Sequence, residues 1–472
     1  MGERRSRPML RAVMGGVLAG FAPGMAGALL MVPAIALLWS VARRPVLSAL
    51  WGALAVLVSH RWLLALHPLT WMGVPELLSL PIALLIWISC GVAAAVLVAG
   101  WSAVARLLSD ARWLWSPPQV LALAVIWGLA EVLLAKGPLF WIGVGGSVLP
   151  LDLPLAGLGR WLGSGGLAVV QLLLGWGLFQ VVRLRRGRLW GIWLAVLLLL
   201  HGLGGVARAV AVPPVGQLEL AVWQPGIPTR EKFSDAQQRR LPEALRQALQ
   251  RAEHLDAQAL VAPEGLLPAR GVGGMEGQAL PLITGGFRWV LGAQRSSLLQ
   301  VDAADSAGRP LLDKHRLVPL GEALPPLPAG WTAGLSAVGG LQPGPADRGF
   351  KALGTPGSAA ICYEIADGHA LALATAEGGQ WLLTVANLDP YPLLLQRQFL
   401  ALARLRAIET ARELLSVANT GPTALVHANG TSELLLAPEE QGVALAVVQL
   451  HSTTTMYAAM QQKLNQFWSP EA

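Results

Sequence analysis

The chain has 472 residues, of which 54% are hydrophobic and only 13% charged, with a mean hydropathy of +0.52. That composition is too apolar for an ordinary soluble protein and excludes a disordered one, so at least part of the chain belongs in a membrane. The net charge of +7 comes from 35 Lys and Arg against 28 Asp and Glu, but many of the basic residues fall between apolar runs rather than on one soluble face, which argues against a nucleic-acid partner.

Charged residues are sparse up to about residue 208 and reach ordinary globular frequency from about residue 213. The shift divides the chain into a transmembrane module over residues 1–210, a soluble domain over 213–455 and a polar C-terminal tail over 456–472. At roughly 250 residues, the soluble half is long enough to bury a core of its own.

A spanning helix needs about 20 apolar residues to cross a hydrocarbon layer about 30 Å thick. By that ruler about seven segments qualify, near residues 10–21, 24–41, 46–66, 77–98, 120–140, 162–182 and 189–206, with the break around Pro23 the least distinct. The arginine-rich start resembles a secretory signal, but no small-residue cleavage site follows, so it reads as an uncleaved first helix.

Seven crossings put Arg4, Arg5 and Arg7, then Arg43 and Arg44, then Arg106 and Arg112, then Arg183, Arg185, Arg186 and Arg188 on one side. That is the positive-inside pattern. An odd count delivers the soluble half to the outer face, which at a bacterial inner (plasma) membrane is the periplasmic side, whereas six or eight spans put it in the cytoplasm. Trp71, Trp113, Trp115, Trp141 and Trp161 near span ends fit interfacial belts. Glu131 and Lys136 lie in or at the end of one apolar run, as a functional pair at membrane depth or as an end-of-helix pair reaching for the interface.

The two cysteines have separate explanations, because Cys90 lies in the apolar run 81–100 and Cys362 deep in the soluble half. In that half, β-rich runs recur at 217–223, 259–262, 282–284, 289–291, 359–362, 381–385, 414–417, 423–427 and 443–450, with helical patterns at 235–255 and 393–412. Alternating strands and helices predict an α/β domain with a packed central sheet. No GxGxxG or P-loop marks a nucleotide cradle, and no Cys/His cluster marks a metal.

Three polar spots follow or end apolar strands: Ala-Pro-Glu264-Gly, the run KHRLVPLGE from Lys314 to Glu322, and Ile-Cys362-Tyr-Glu364-Ile. Singly, each has an ordinary explanation: a turn, a solvated lysine, a small buried thiol. Together they form a chemical set of thiol nucleophile, proton-carrying carboxylate and fixed cation for a tetrahedral oxyanion. The spacing does not show that they converge, and His315 and His369 offer a rival Cys and His pairing.

At these residues the sequence resembles the nitrilase (carbon-nitrogen hydrolase) superfamily, and within it the apolipoprotein N-acyltransferases, which join a nitrilase-like αββα sandwich to a multi-span membrane module. The matching stretches are VWQPGIP at 222–228, APEG with LP following at 262–268, KHRLVPLGE at 314–322, ICYEI at 361–365 and RLRAIETARELLSVANTGPTALVHANG at 404–430, with Glu131 in a WGLAE context. The resemblance implies Glu264 as general base, Lys314 as oxyanion partner and Cys362 as nucleophile, with Glu322 and Glu364 as supporting acids. It implies acyl transfer from a phospholipid, through a Cys362 thioester, to the free α-amine of diacylglyceryl-cysteine apolipoproteins, with no cofactor.

Where that family usually carries Asn-Asp-Ala-Trp-Phe-Gly, this chain has Asn387, Leu388, Asp389, Pro390, Tyr391 and Pro392, an altered lid loop. Arg295, Ser296 and Ser297 replace a Tyr and Asn pair, and a polar stretch at 461–472 stands in place of the family's last spanning helix, which predicts an outside C-terminus. The alternative reading is a membrane-tethered nitrilase-like amidase, or an acyltransferase acting on another amine or amide.

Overall fold

The computed structural model describes residues 2–72, 74–109, 115–137, 140–232, 234–269, 280–302, 305–319, 321–323, 340–389 and 391–468. Arg112 and Trp113 lie outside the described residues, as does Pro390 of the loop expected as a lid. The chain forms two compact units, the first comprising Met1–Leu69, Pro75–Gly137 and Trp141–Val210, the second Thr70–Val74, Pro138–Phe140 and Ala211–Ala472.

The first unit is helical: α1 (Gly2–Phe21), α2 (Ala28–Val41), α3 (Pro45–Ser59), α4 (Glu76–Leu108), α5 (Pro117–Ala135), the single turns α6 (Gly143–Gly146) and α7 (Leu153–Ala156), α8 (Gly159–Leu184) and α9 (Gly187–Ala209). Each of the seven apolar segments of the sequence contains a helix, the fifth ending at Ala135, and among the described residues five helices are long and apolar enough to cross a membrane. At 14 and 15 residues, α2 and α3 reach about 21–23 Å, short of the hydrocarbon thickness. The break between the first two segments falls at Pro23 and Gly24, whose backbones leave helical geometry (ψ 124 and φ 73). The segment at 46–66 is an α-helix only to Ser59 and continues as a tighter 3₁₀ turn, Arg61–Leu66.

Indole rings fill the helical core. Trp39 meets Trp101 and Trp115 edge-on at 5.2 and 5.3 Å between centroids, and Trp101 meets Trp127 at 5.3 Å. Each buried indole needs a partner for its N–H, and Trp39, Trp101 and Trp115 donate to the carbonyls of Leu172, Leu123 and Ala105. Trp115 is thus a core side chain rather than a member of a surface belt. Glu131 is buried and accepts from Trp127 Nε1 (2.8 Å), Val144 N (2.6 Å) and Gly145 N (3.0 Å), so its carboxylate ties α5 to the α6 turn. Lys136, at the C-terminal end of α5, is exposed.

The second unit follows as β1 (Gly216–Gln224), α10 (Asp235–His254), β2 (Ala259–Leu267), β3 (Leu282–Val290), β4 (Ala293–Asp302), β5 (Asp305–Asp313), β6 (Gly349–Ala352), β7 (Thr355–Ile361), α11 (Gly368–Ala376), β8 (Leu382–Ala386), α12 (Leu393–Thr410), β9 (Leu414–Ala418), β10 (Thr423–Val426), β11 (Ser432–Leu436), β12 (Gly442–Leu450) and α13 (Met456–Trp468). Two six-stranded sheets form, in the orders β12-β1-β2-β3-β4-β5 and β11-β10-β9-β8-β7-β6. Strands β1, β2 and β3 run parallel, as do β7, β8 and β9, with antiparallel flanks.

Alternation along each strand explains the layering. On β1, Leu218, Leu220 and Val222 enter the core between the sheets with Ile361, Val385 and Val417. Ala221 and Trp223 face the other way and meet Leu241, Leu245 and Leu249 of α10. The result is the αββα sandwich that the resemblance implies, with two packed sheets where the strand and helix pattern alone predicts one central sheet. The two runs at 282–284 and 289–291 are one strand, β3. Strands β4, β5, β6 and β11 escaped the sequence reading because Arg, Gly, Pro or Glu interrupts their apolar pattern. The segment expected as a polar tail is, over Met456–Trp468, a helix whose Tyr457 and Ala458 pack on Ala372.

Candidate active site

Strand ends bring the polar residues together. Glu264 lies on β2 where the pairing with β3 slips between Ala262 and Leu267, an irregularity that re-aims a side chain. Lys314 directly follows β5, and Cys362 directly follows β7 with a left-handed backbone (φ 56). A non-glycine residue in that region is strained by about 1–3 kcal/mol and is held there by its surroundings. All three are buried, and Lys314 is only 1% exposed.

The Lys314 ammonium donates to Glu264 Oε1 at 2.7 Å and to Glu322 Oε1 at 2.8 Å, and sits 5.7 Å from the centre of the Tyr363 ring. Glu322 Oε2 accepts from Val318 N, which folds the KHRLVPLGE loop back on its own lysine. Glu264 Oε2 accepts from Asn387 N at 3.2 Å, and the Cys362 thiol lies near enough to the same carboxylate for its charge to raise the thiol's pKa. The residues that the sequence leaves about fifty positions apart therefore share one ion-paired cluster.

Burial alone pushes the Lys314 ammonium toward neutrality, but Glu264 and Glu322 outweigh it and hold its pKa well above the ordinary lysine value. Burial and the Glu264 charge raise the Cys362 thiol well above its usual range, with Lys314 offsetting them only in part. Burial likewise raises Glu322, against the pull of Lys314. The resting cluster is a neutral thiol beside a lysine clamped by two acids, so the thiol needs a base at the moment of attack.

Glu364 stands on the far side as a scaffold. Its oxygens accept from Arg348 Nη1 (2.9 Å to each), from the backbone N–H of His315 and Arg316, and from Ile361 N, so one carboxylate joins the segment after Lys314 to the one before Cys362. The histidine alternatives dissolve: His315 Nδ1 pairs with the Gly344 carbonyl and His369 Nδ1 with Gln461.

Asp313, next to Lys314, accepts from Arg288, Ser297 and Arg295 at 2.7–2.9 Å. Arg295 and Ser297, two of the replacements at that point of the sequence, thus brace the end of β5. Burial pushes the Asp313 carboxyl up, but these donors prevail and bring it to about 2. A folded-state pKa below the unfolded value of about 3.9 means stability present above pH ~4 and lost as pH falls toward ~2. Asp313→Asn is therefore expected to cost about 2 kcal/mol at neutral pH. Thermal unfolding at pH 7 and pH 3 should show the gap between variant and wild type narrowing in acid.

In the loop expected as a lid, Asn387 Nδ2 donates to Thr229 Oγ1, Asp389 accepts from Thr229 N and Oγ1, and Asn419 Nδ2 donates to Asn387 Oδ1. Tyr391 lies close enough to Cys362 and Glu264 for burial and their charges to raise its phenol. The loop is stitched to Thr229, directly after the 222–228 stretch that the sequence flagged without a role. Lys232, Arg348 and Asn419 were missed. Lys232 Nζ donates to the Glu264 carbonyl at 2.8 Å, and burial lowers it to about 8 despite the nearby acids. Asn419 lay within a flagged motif, whereas nothing local marks Arg348.

Gly285 on β3 sets the clearance. A Cβ there would lie 2.4 Å from Glu264 Cα, a backbone atom that cannot swing aside. Gly285→Ala is expected to displace Glu264 and lower the site's activity by roughly 10²-fold while the sheets persist, read as lost activity with an unchanged circular dichroism spectrum.

Comparison with known proteins follows this geometry. No family model matches the chain. Among solved structures, an amidase from Nesterenkonia sp. is 17% identical with a TM-score of 0.39, over 55% of this chain and 99% of that one. The apolipoprotein N-acyltransferase of Prochlorococcus marinus (strain MIT 9313) is 56% identical over 97% of this chain and 93% of its own length. That of Parasynechococcus marenigrum is 62% identical over 98% of each chain, and at such identity over the full length the chain belongs to the apolipoprotein N-acyltransferase family.

Proposed function

We propose that this protein moves a fatty acyl chain from a phospholipid, through a thioester on Cys362, to the N-terminal amine of diacylglyceryl-cysteine apolipoproteins. The observation that carries the reading is the buried cluster in which the Cys362 thiol and the Lys314 ammonium meet on one carboxylate, Glu264.

Each step uses groups in contact. As Cys362 Sγ attacks the ester carbonyl carbon, Glu264 takes the thiol proton and Lys314 stabilises the oxyanion. The carbon–oxygen bond breaks, the leaving alkoxide takes the proton from Glu264, and a lysophospholipid departs. The α-amine then attacks the thioester, Glu264 accepts its proton, and collapse forms the amide and returns the proton to sulfur. Because Lys314 is doubly paired, it keeps its charge and acts as a fixed electrostatic partner, not as a base.

The helical unit supplies the membrane residence that two lipid-anchored substrates require. We place the second unit on the periplasmic face of the bacterial inner membrane. Five long helices cross, or seven if α2 and α3 also cross, and both counts are odd. The arginines between α8 and α9 then stay inside.

Incubation of the purified protein with phospholipid should add one acyl mass, absent from Cys362→Ala and discharged by a diacylglyceryl-cysteine peptide. A folded protein that takes no acyl group from any phospholipid would return the reading to an amidase.

A further inference from the structure

The helical unit carries a second chemical feature, independent of the thiol. Arg11 on α1, Arg43 and Arg44 in the turn between α2 and α3, and Arg183 and Arg185 at the end of α8 converge on one cavity of about 850 Å³. Its apolar wall is made by Trp39, Phe179 and Val182. Among the described residues no acidic side chain lines it, and Arg11, Arg44, Arg183 and Arg185 make no ion pair.

Membrane topology explains why arginines collect at the inside ends of helices. It does not explain why three segments, the outermost more than 170 positions apart in the chain, bring five of them around one concavity with an apolar wall. The C-termini of α2 and α8 contribute about half a negative charge each, too little to neutralise the guanidinium groups of Arg11, Arg44, Arg183 and Arg185. An anion that fills the cavity relieves their mutual repulsion, and the guanidinium fork matches phosphate oxygens in pairs. Basic pockets between spanning helices suit anionic lipid headgroups, and an indole and a phenyl ring beside the charges suit the glyceryl and upper acyl carbons.

We propose that this cavity binds the phosphate headgroup of an anionic lipid from the leaflet on the arginine side. The full-length protein in detergent is to be examined by native mass spectrometry and thermal unfolding with phosphatidylglycerol, with phosphatidylcholine and with inorganic phosphate. Retained phosphatidylglycerol and a raised melting temperature, with no matching effect of the other two, is the expected result. Combining Arg11→Gln, Arg44→Gln and Arg183→Gln should weaken phosphatidylglycerol binding roughly a hundredfold, at about fivefold for each charge removed. Since charge removal can also reorient helices, Val182→Trp places an indole against the cavity wall with every charge in place and should weaken the lipid's binding too. Equal binding of phosphatidylcholine, or undiminished phosphatidylglycerol in both variants, would overturn the proposal, and an equal response to inorganic phosphate alone would assign the site to a free anion instead of a lipid.

Discussion

Cys362→Ser and Cys362→Ala are each expected to reduce acyl transfer by at least about 10³-fold, with insertion in the membrane unchanged. The side chain is buried where β7 gives way to a 3₁₀ turn, and its thiol is held neutral by burial and by Glu264. Serine keeps the geometry, but its far more basic oxygen leaves Glu264 too weak a base to free it. Alanine removes the bond-forming atom. Neither substitution empties a large volume, so folding should hold: thermal unfolding within about 1 kcal/mol of wild type, together with no acyl adduct by intact mass, is the expected pair of results. Substantial transfer by either variant would exclude the thioester route.

Lys314→Met combines two effects that can be separated. Methionine keeps the length and apolar stem but deletes the charge that pairs with Glu264 and Glu322, leaving two carboxylates buried together. Removing one partner of a buried pair costs about 3–5 kcal/mol, and removing the oxyanion partner costs a further 10²–10³ in rate. The double variant Lys314→Met/Glu322→Gln takes away one orphaned acid and should recover much of the lost stability without recovering transfer. If transfer returned along with stability, Lys314 would be a structural cation only. Thermal unfolding and acyl-transfer assays on the same preparations decide between these outcomes.

The helices were legible because hydropathy over about 20 residues is a property of local sequence. Their ends were not: α4 runs 33 residues, beyond the expected segment at 77–98, since a helix continues until a terminating residue or packing stops it, not where apolarity fades. In the second unit the short β-rich apolar runs of β1, β2, β7, β8 and β9 announced themselves, whereas the edge strands β5 and β6, which carry Gly, Pro or a charge, did not.

The sequence by itself determined the division into a membrane half and an α/β half, and the kinds of residue available for chemistry: one thiol, one lysine and several acids after strands. Resemblance to a known family then attached roles to them. What only the tertiary structure decided was convergence. Two sheets packed face to face bring the ends of β2, β5 and β7 into contact across gaps of about fifty residues, and no local signal encodes such a distance. The same packing turned Glu364 toward Arg348, sent His315 and His369 to partners of their own, and left Gly285 no room for a side chain. Such contacts follow from the close-packed interior, where each buried charge must find its partner in three dimensions.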